Sequence, residues 1–197
     1  MDLILIRHPA VAVDAGICYG RTDVPLIDLP HASVVALSAR LAALKAPPPD
    51  VVLTSPLTRC ASVASEWAAQ YGCDEPRADA RLQEMDFGSW EQQRWDGIDR
   101  ALLDAWAADL HHARSHGGES VAQLSTRVRG WLDEMHTPAE GACVHVMTHA
   151  GVIRVSTALA LEMPLERCLR WPIDFVGIVW LRRNHTTQQW VLVRWNA

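Results

Sequence analysis

Apolar positions along the chain fall into short unbroken runs separated by amphipathic stretches. Leu3-Ile4-Leu5-Ile6 is the first run, four apolar residues together, as in a strand buried on both faces of a parallel sheet. Val51-Val52-Leu53 and residues 142–147 repeat that pattern. Between them the period changes to that of a helix. Residues 31–45 set Val34, Val35, Leu37, Leu41 and Leu44 mostly on one face, and residues 119–136 do the same with Val121, Leu124, Val128, Leu132 and Met135. Further helices are predicted over residues 96–110 and 152–161.

Breakers divide these elements. Pro9 cannot donate to a ladder, so the first strand ends there. Residues 9–30 then form a loop long enough to point to function. Ser55-Pro56 reads as an N-cap followed by N1 proline, opening a helix that runs to Tyr71-Gly72. Residues 76–82 are expected as a short strand, residues 82–91 as a structured loop and residues 111–118 as a connector. Runs at 175–181 and 189–194 flank a turn at 183–187 and predict an antiparallel pair at a sheet edge. Strands alternating with helices predict an α/β fold, a mostly parallel central sheet with an antiparallel edge, as a single domain over residues 1–197.

Composition narrows the function. The chain has 197 residues, 49% hydrophobic and 21% charged, the balance of a folded globular protein rather than a disordered one. A net charge of −5 gives no support to nucleic-acid binding, so any anion site needs locally placed cations. Five scattered cysteines, none in a C-x-x-C arrangement, argue against a disulfide framework and a zinc site and fit a reducing cytoplasm. The N-terminus does not read as a signal peptide, and no apolar run has the length of a membrane span. The nine tryptophans are read as packing residues. His111, His112 and His116 sit without a carboxylate at ligand spacing and are taken as solvated, not as a metal site.

Candidate chemistry gathers at strand ends. Arg7 and His8 follow the first strand, Arg59 lies in the first turn of the helix after the second, and His149 follows the third. With right-handed crossovers all of them emerge on one side of the sheet, where α/β folds bind ligands. Two arginines and two histidines at helix N-termini suit a phosphoryl group. Glu84 and Glu91 are the nearest candidates for a proton donor, with Asp86 a third. Glu119 reads as a structural carboxylate at the start of its helix.

These segments, in this order, resemble the histidine phosphatase superfamily, also called phosphoglycerate-mutase-like. The resemblance rests on Leu5-Ile6-Arg7-His8, Ser55-Pro56-Leu57-Thr58-Arg59, the stretch from Leu82 to Glu91, Gly117-Gly118-Glu119-Ser120 and Thr148-His149-Ala150-Gly151, and it covers nearly the whole chain. It implies a three-layer α/β/α fold and a phosphomonoesterase that needs no metal or cofactor. His8 would form a phosphohistidine, Arg7, Arg59 and a protonated His149 would hold the phosphoryl group, and Glu84 would be the acid. The Tyr19-Gly20-Arg21-Thr22-Asp23-Val24-Pro25-Leu26 loop looks most like the alpha-ribazole phosphatase branch, which implies alpha-ribazole 5′-phosphate as substrate. An aromatic wall from residues 87–95 would then face its ring, with Arg21 and Asp23 beside it. Three positions depart from the family: Pro9 replaces a glycine, Val11 a threonine and Asp14 an asparagine that helps hold phosphate. Arg21, carried with Tyr19 and Gly20, is the candidate substitute. A broad-specificity phosphatase, a phosphoglycerate-mutase-type phosphotransferase and an inactive binding module are the rival readings. The expected partner is a small phosphomonoester, with no nucleic acid and no membrane; oligomeric state stays open, a dimer included.

Overall fold

The computed structural model describes residues 1–135 and 141–197. Its strands are β1 (Asp2–Arg7), β2 (Val51–Thr54), β3 (Arg77–Ala78), β4 (Cys143–Thr148), β5 (Ile178–Arg183) and β6 (Trp190–Arg194). They form one sheet in the order β3-β2-β4-β1-β5-β6. The first four run parallel, while β5 lies antiparallel to β1 and β6 antiparallel to β5, as the sequence pattern predicts. The helices are α1 (Pro30–Ala43), α2 (Thr58–Tyr71), α3 (Arg100–Ala108), α4 (Val121–Glu134), α5 (Ala150–Ala160) and α6 (Leu165–Leu169). Among the described residues no helix is long and apolar enough to cross a membrane.

Alternation along β1 explains its unbroken apolar run. Ile4 and Ile6 pack with Val34, Leu37 and Trp67 of α1 and α2, whereas Leu3 and Leu5 pack with Leu124, Val128 and Val152 of α4 and α5. Both faces of the sheet are covered, giving three layers. Trp67 and Trp131 are among the largest fully buried side chains, so packing is their role. The parallel register places the carboxyl ends of the three inner strands side by side, with Arg7 opposite Thr148 and Thr54 opposite Met147. His8 N–H donates to the Thr148 carbonyl at 2.9 Å, and Ser55 N–H to the Met147 carbonyl at 2.9 Å, so the ladder continues into the segments that carry the site.

Several expectations need correction. Ser55 does not cap α2: the helix starts at Thr58 with Leu57 as its N-cap. Asp23, from the long loop, takes the Thr58 N–H at 2.9 Å and its hydroxyl at 2.6 Å, supplying the cap from elsewhere in the chain. The strand expected over residues 76–82 is confined to Arg77–Ala78, because the Asp79 carboxylate accepts the Arg81 N–H at 2.8 Å and turns the chain into a 3-10 helix, Ala80–Leu82. Residues 96–110 form a 3-10 turn and then α3, since Asp99 caps Ala101 N–H at 2.7 Å. In α4 a capping box between Ser120 and Gln123 makes Ser120 the N-cap and fixes the start at Val121, two residues beyond Glu119; residue 136, the last of the expected helix, lies outside the described residues. Glu119 is held by Arg127 at 2.7 Å rather than by the helix dipole. His116 is not solvated but 1% exposed. Its Nδ1 accepts the Gly118 N–H at 3.0 Å, and its ring packs among Phe87, Trp90 and Trp106.

Candidate active site

His8 leaves β1 as the ladder ends and is 2% exposed. Its Nδ1 lies 2.7 Å from the Pro9 carbonyl, which can only accept, so Nδ1 carries the proton and Nε2 holds the free lone pair. Pro9 lacks an N–H but keeps that carbonyl, so the departure from glycine leaves the tautomer-setting acceptor in place. Burial lowers the His8 pKa to about 3; the Pro9 bond opposes the shift, and Arg59 and Arg7 add to it. His8 is therefore neutral at neutral pH.

His149 is the residue before α5, with its ring 5.2 Å from that of His8. It is fully buried, and its Nε2 lies 2.8 Å from the Ser55 hydroxyl. Burial holds its pKa well below the ordinary value, with Arg59 and His8 pressing the same way. The protonated donor expected at this position is thus a neutral imidazole. Cys60, one turn into α2, also abuts the His149 ring, its Sγ 3.5 Å from Nε2.

The two arginines are fixed by carbonyls and rings. Arg59, 0% exposed, donates from Nη1 to Thr22 O at 2.7 Å and from Nη2 to Gly20 O at 2.6 Å. Arg7 donates from Nη1 to Ile173 O at 2.7 Å and lies 4.0 Å over the Phe175 ring. Among the described residues each has a buried Nε–H without an acceptor. Two guanidinium charges beside a neutral imidazole make an electrostatic setting suited to an anion with several oxygens.

A family model described as the histidine phosphatase superfamily (branch 1) matches residues 3–197. The chain belongs to this superfamily. Among curated histidine phosphatases and their relatives it is similar to phosphoserine phosphatase 1 of Hydrogenobacter thermophilus, with 27% identity over 121 residues, 60% of this chain and 57% of that one. It is also similar to the adenosylcobalamin/alpha-ribazole phosphatase of Escherichia coli, 28% identical over 96 residues, 47% of each chain. The chain thus spans about half the length of these two curated relatives. The crystal structure of the alpha-ribazole phosphatase from Shigella flexneri superposes with a TM-score of 0.86 at 24% identity, covering 100% of this chain and 96% of that one, which supports the phosphoglycerate-mutase-like fold.

The remaining candidates separate by how their groups are used. The Glu84 carboxylate lies across the start of α5, accepting Gly151 N–H at 3.1 Å and Met85 N–H at 3.0 Å. Glu91 instead accepts N–H groups from Arg21 at 2.9 Å, Thr22 at 2.7 Å and Phe87 at 2.9 Å, and the Thr22 hydroxyl. Its oxygens tie two loops together. Asp86 accepts from Gly88 N–H at 2.7 Å and faces Arg21 at 3.8 Å. Arg21 is half-exposed and pairs with Asp86 rather than with any group of the histidine cluster. Asp14 is exposed. Tyr19 lies edge-on to His8 at 6.2 Å and under Arg59, while Gly20 contributes a carbonyl to Arg59 rather than a donor to a ligand. The expected aromatic wall is largely internal. Trp90 is 2% exposed in a cluster with Cys18 and Ile98, and Trp95 packs against Phe87 and Trp90. Sequence reasoning missed Phe175, Ile173 and the role of Ser55. Ser55 had a signal, lying at the end of β2 four residues before Arg59; Phe175 and Ile173 had none.

Proposed function

We propose that this chain is a phosphomonoesterase acting through a phosphohistidine on a small phosphorylated metabolite. The observation that carries the reading is His8 with Nδ1–H fixed on the Pro9 carbonyl, which leaves Nε2 unprotonated, and with the Arg59 and Arg7 charges close enough to disfavour its cationic form. His8 Nε2 attacks phosphorus, the N–P bond forms as the ester O–P bond breaks, and the alcohol departs with a proton from Glu84. Water then attacks the phosphohistidine, giving its proton to Glu84 and releasing inorganic phosphate. Arg7 and Arg59 bear the equatorial charge in both steps. The incoming dianion supplies the counter-charge that burial denies His149, so that ring can take a proton once substrate is bound. Glu84 is preferred to Glu91 as the acid because it stands at the start of α5, immediately after His149, whereas every Glu91 bond holds a loop.

Relatives name two kinds of leaving alcohol, the amino acid of phosphoserine and alpha-ribazole. Alpha-ribazole 5′-phosphate is the second reading, favoured by the Escherichia coli relative.

His8→Ala should lower turnover of an aryl phosphate by about 10³-fold or more while the far-ultraviolet spectrum and melting temperature stay near wild type. Rapid quench of wild-type enzyme with labelled substrate should trap acid-labile, base-stable phosphate on His8. Label on a serine or aspartate would refute the mechanism.

A further inference from the structure

Four consecutive backbone carbonyls, those of Arg81, Leu82, Gln83 and Glu84, bring the chain to the acid, and each is held by a side chain. Thr148, the residue before His149, donates its hydroxyl to Leu82 O at 2.7 Å. Arg127 of α4 takes the other three. Its Nη1 donates to Arg81 O at 2.6 Å and to Gln83 O at 2.8 Å, and its Nη2 to Glu84 O at 3.1 Å. The two remaining N–H groups meet one carboxylate, Nε on Glu119 Oε1 at 2.7 Å and Nη2 on Glu119 Oε2 at 2.8 Å. All five guanidinium donors are thereby used, so Arg127 has none to offer a substrate. Both side chains are largely buried, Arg127 at 15% and Glu119 at 13% exposed.

Residues 83–87 belong to no helix or strand, so no ladder fixes Glu84. Met85 N–H and Gly151 N–H pin its carboxylate, but they define a position only if the backbone beneath it stays still. Arg127 supplies that stillness, tying the carbonyls to a helix anchored in the core by Leu124 and Val128. A planar fork can span several acceptors at once; a single ammonium cannot. Glu119 fixes the plane of that fork through a bidentate contact, and its charge offsets a cation whose field reaches His149. Its own N–H donates to Asp86 O at 2.8 Å, two residues beyond the acid. The pair therefore grips the chain on both sides of Glu84, and the Gly117-Gly118-Glu119-Ser120 segment gains a role that its sequence alone did not show.

We propose that Arg127 and Glu119 are positioning residues for the proton donor, together holding the Glu84 backbone so that its carboxyl group meets the departing oxygen. This rests on the phosphatase reading above and deepens it, enlarging the acid from one side chain to a unit of three.

The test is the dependence of kcat/KM on the leaving group, measured with an alkyl phosphate, phenyl phosphate and nitrophenyl phosphate well below each variant's melting temperature. Glu119→Gln keeps the size of the side chain but gives up its charge and one acceptor. It should slow the alkyl ester by about 10-fold, part of the 10²- to 10⁴-fold that a general acid supplies, and the nitrophenyl ester by less than about 2-fold. A plot of log kcat/KM against leaving-alcohol pKa then steepens. Arg127→Lys, which cannot span three carbonyls and a carboxylate, should steepen it further. Val128→Ala truncates the fully buried neighbour of Arg127 in α4; it should lower the melting temperature and keep the wild-type slope. Equal slowing of all three esters, the result of a loss acting through His149 or of general loosening, would overturn the proposal. So would a wild-type slope in Glu119→Gln and Arg127→Lys, or a slope as steep as theirs in Val128→Ala. Should Arg127→Lys fail to fold, Glu119→Gln decides. Glu84→Gln, run alongside, keeps the two readings apart: a wild-type slope there would remove the acid assignment and this proposal with it. No turnover of any ester by the wild type, with no phosphate trapped on His8, would refute the phosphatase reading and everything resting on it.

Discussion

Gly151→Ala separates the placement of the acid from the stability of the helix that places it. Gly151 is the second residue of α5, and an added Cβ would press well inside contact distance of Glu84 Oε1. The carboxylate ends a flexible side chain, so it can retreat, and reaching ordinary contact requires a shift of about 1 Å, a displacement that can cost ~10²-fold in rate. The stability terms oppose each other. Alanine over glycine in a helix adds up to about 1 kcal/mol. Losing the Gly151 N–H bond to Glu84 removes about as much. The melting temperature should therefore stay within about 4 °C of wild type. The catalytic effect should depend on the leaving group. An alkyl phosphate needs its departing oxygen protonated and should slow by about 10²-fold, towards the 10²- to 10⁴-fold loss expected for Glu84→Gln. A nitrophenyl ester leaves without that proton and should change far less. Steady-state kcat/KM for the two substrates, set beside the melting curve, measures both arms. Equal losses on both esters, or the leaving-group pattern appearing in Glu91→Gln instead, would refute the assignment of Glu84.

Two further outcomes follow from the same packing. His8, His145 and His149 are all neutral when folded, with His145 lowered to about 4 by burial, so below pH 6.5 the unfolded chain binds protons the native state refuses. Stability should be level above pH 7 and fall with acid by up to about 4 kcal/mol per pH unit between pH 6 and 4.5, at ~1.4 kcal/mol per unit for each group; urea unfolding that stays flat down to pH 5 would contradict this. Gly20 has φ +37°, and a side chain there would strike the Glu91 carboxylate and the Met85 carbonyl, so Gly20→Ala should pull the loop carbonyls off Arg59 and weaken inhibition by inorganic phosphate by about 10-fold. An unchanged inhibition constant would show that Arg59 does not depend on that loop.

The sequence alone determined the layers and the places where chemistry emerges. Strand and helix periods follow from the sterics of chain neighbours, so Leu3–Ile6, Val51–Leu53 and residues 142–147 declare inner strands; β1 and β2 contain the first two, and β4 takes in the third from Cys143 onward. Parallel strands joined by right-handed crossovers share one carboxyl edge, and that put Arg7, His8, Arg59 and His149 within reach of each other before any coordinates. Roles among similar side chains were not legible, because they depend on partners distant in sequence. Glu84 and Glu91 lie seven residues apart in one loop, and only the fold shows one carboxylate at the start of α5 and the other stapling residues 21 and 22. Asp23, not Ser55, satisfies Thr58, which leaves the Ser55 hydroxyl to His149. Aromatic packing drew His116 and Trp90 inside, although their neighbours in sequence read as loop. Local geometry is encoded residue by residue, whereas the satisfaction of a buried charge is settled by whatever the whole chain brings against it.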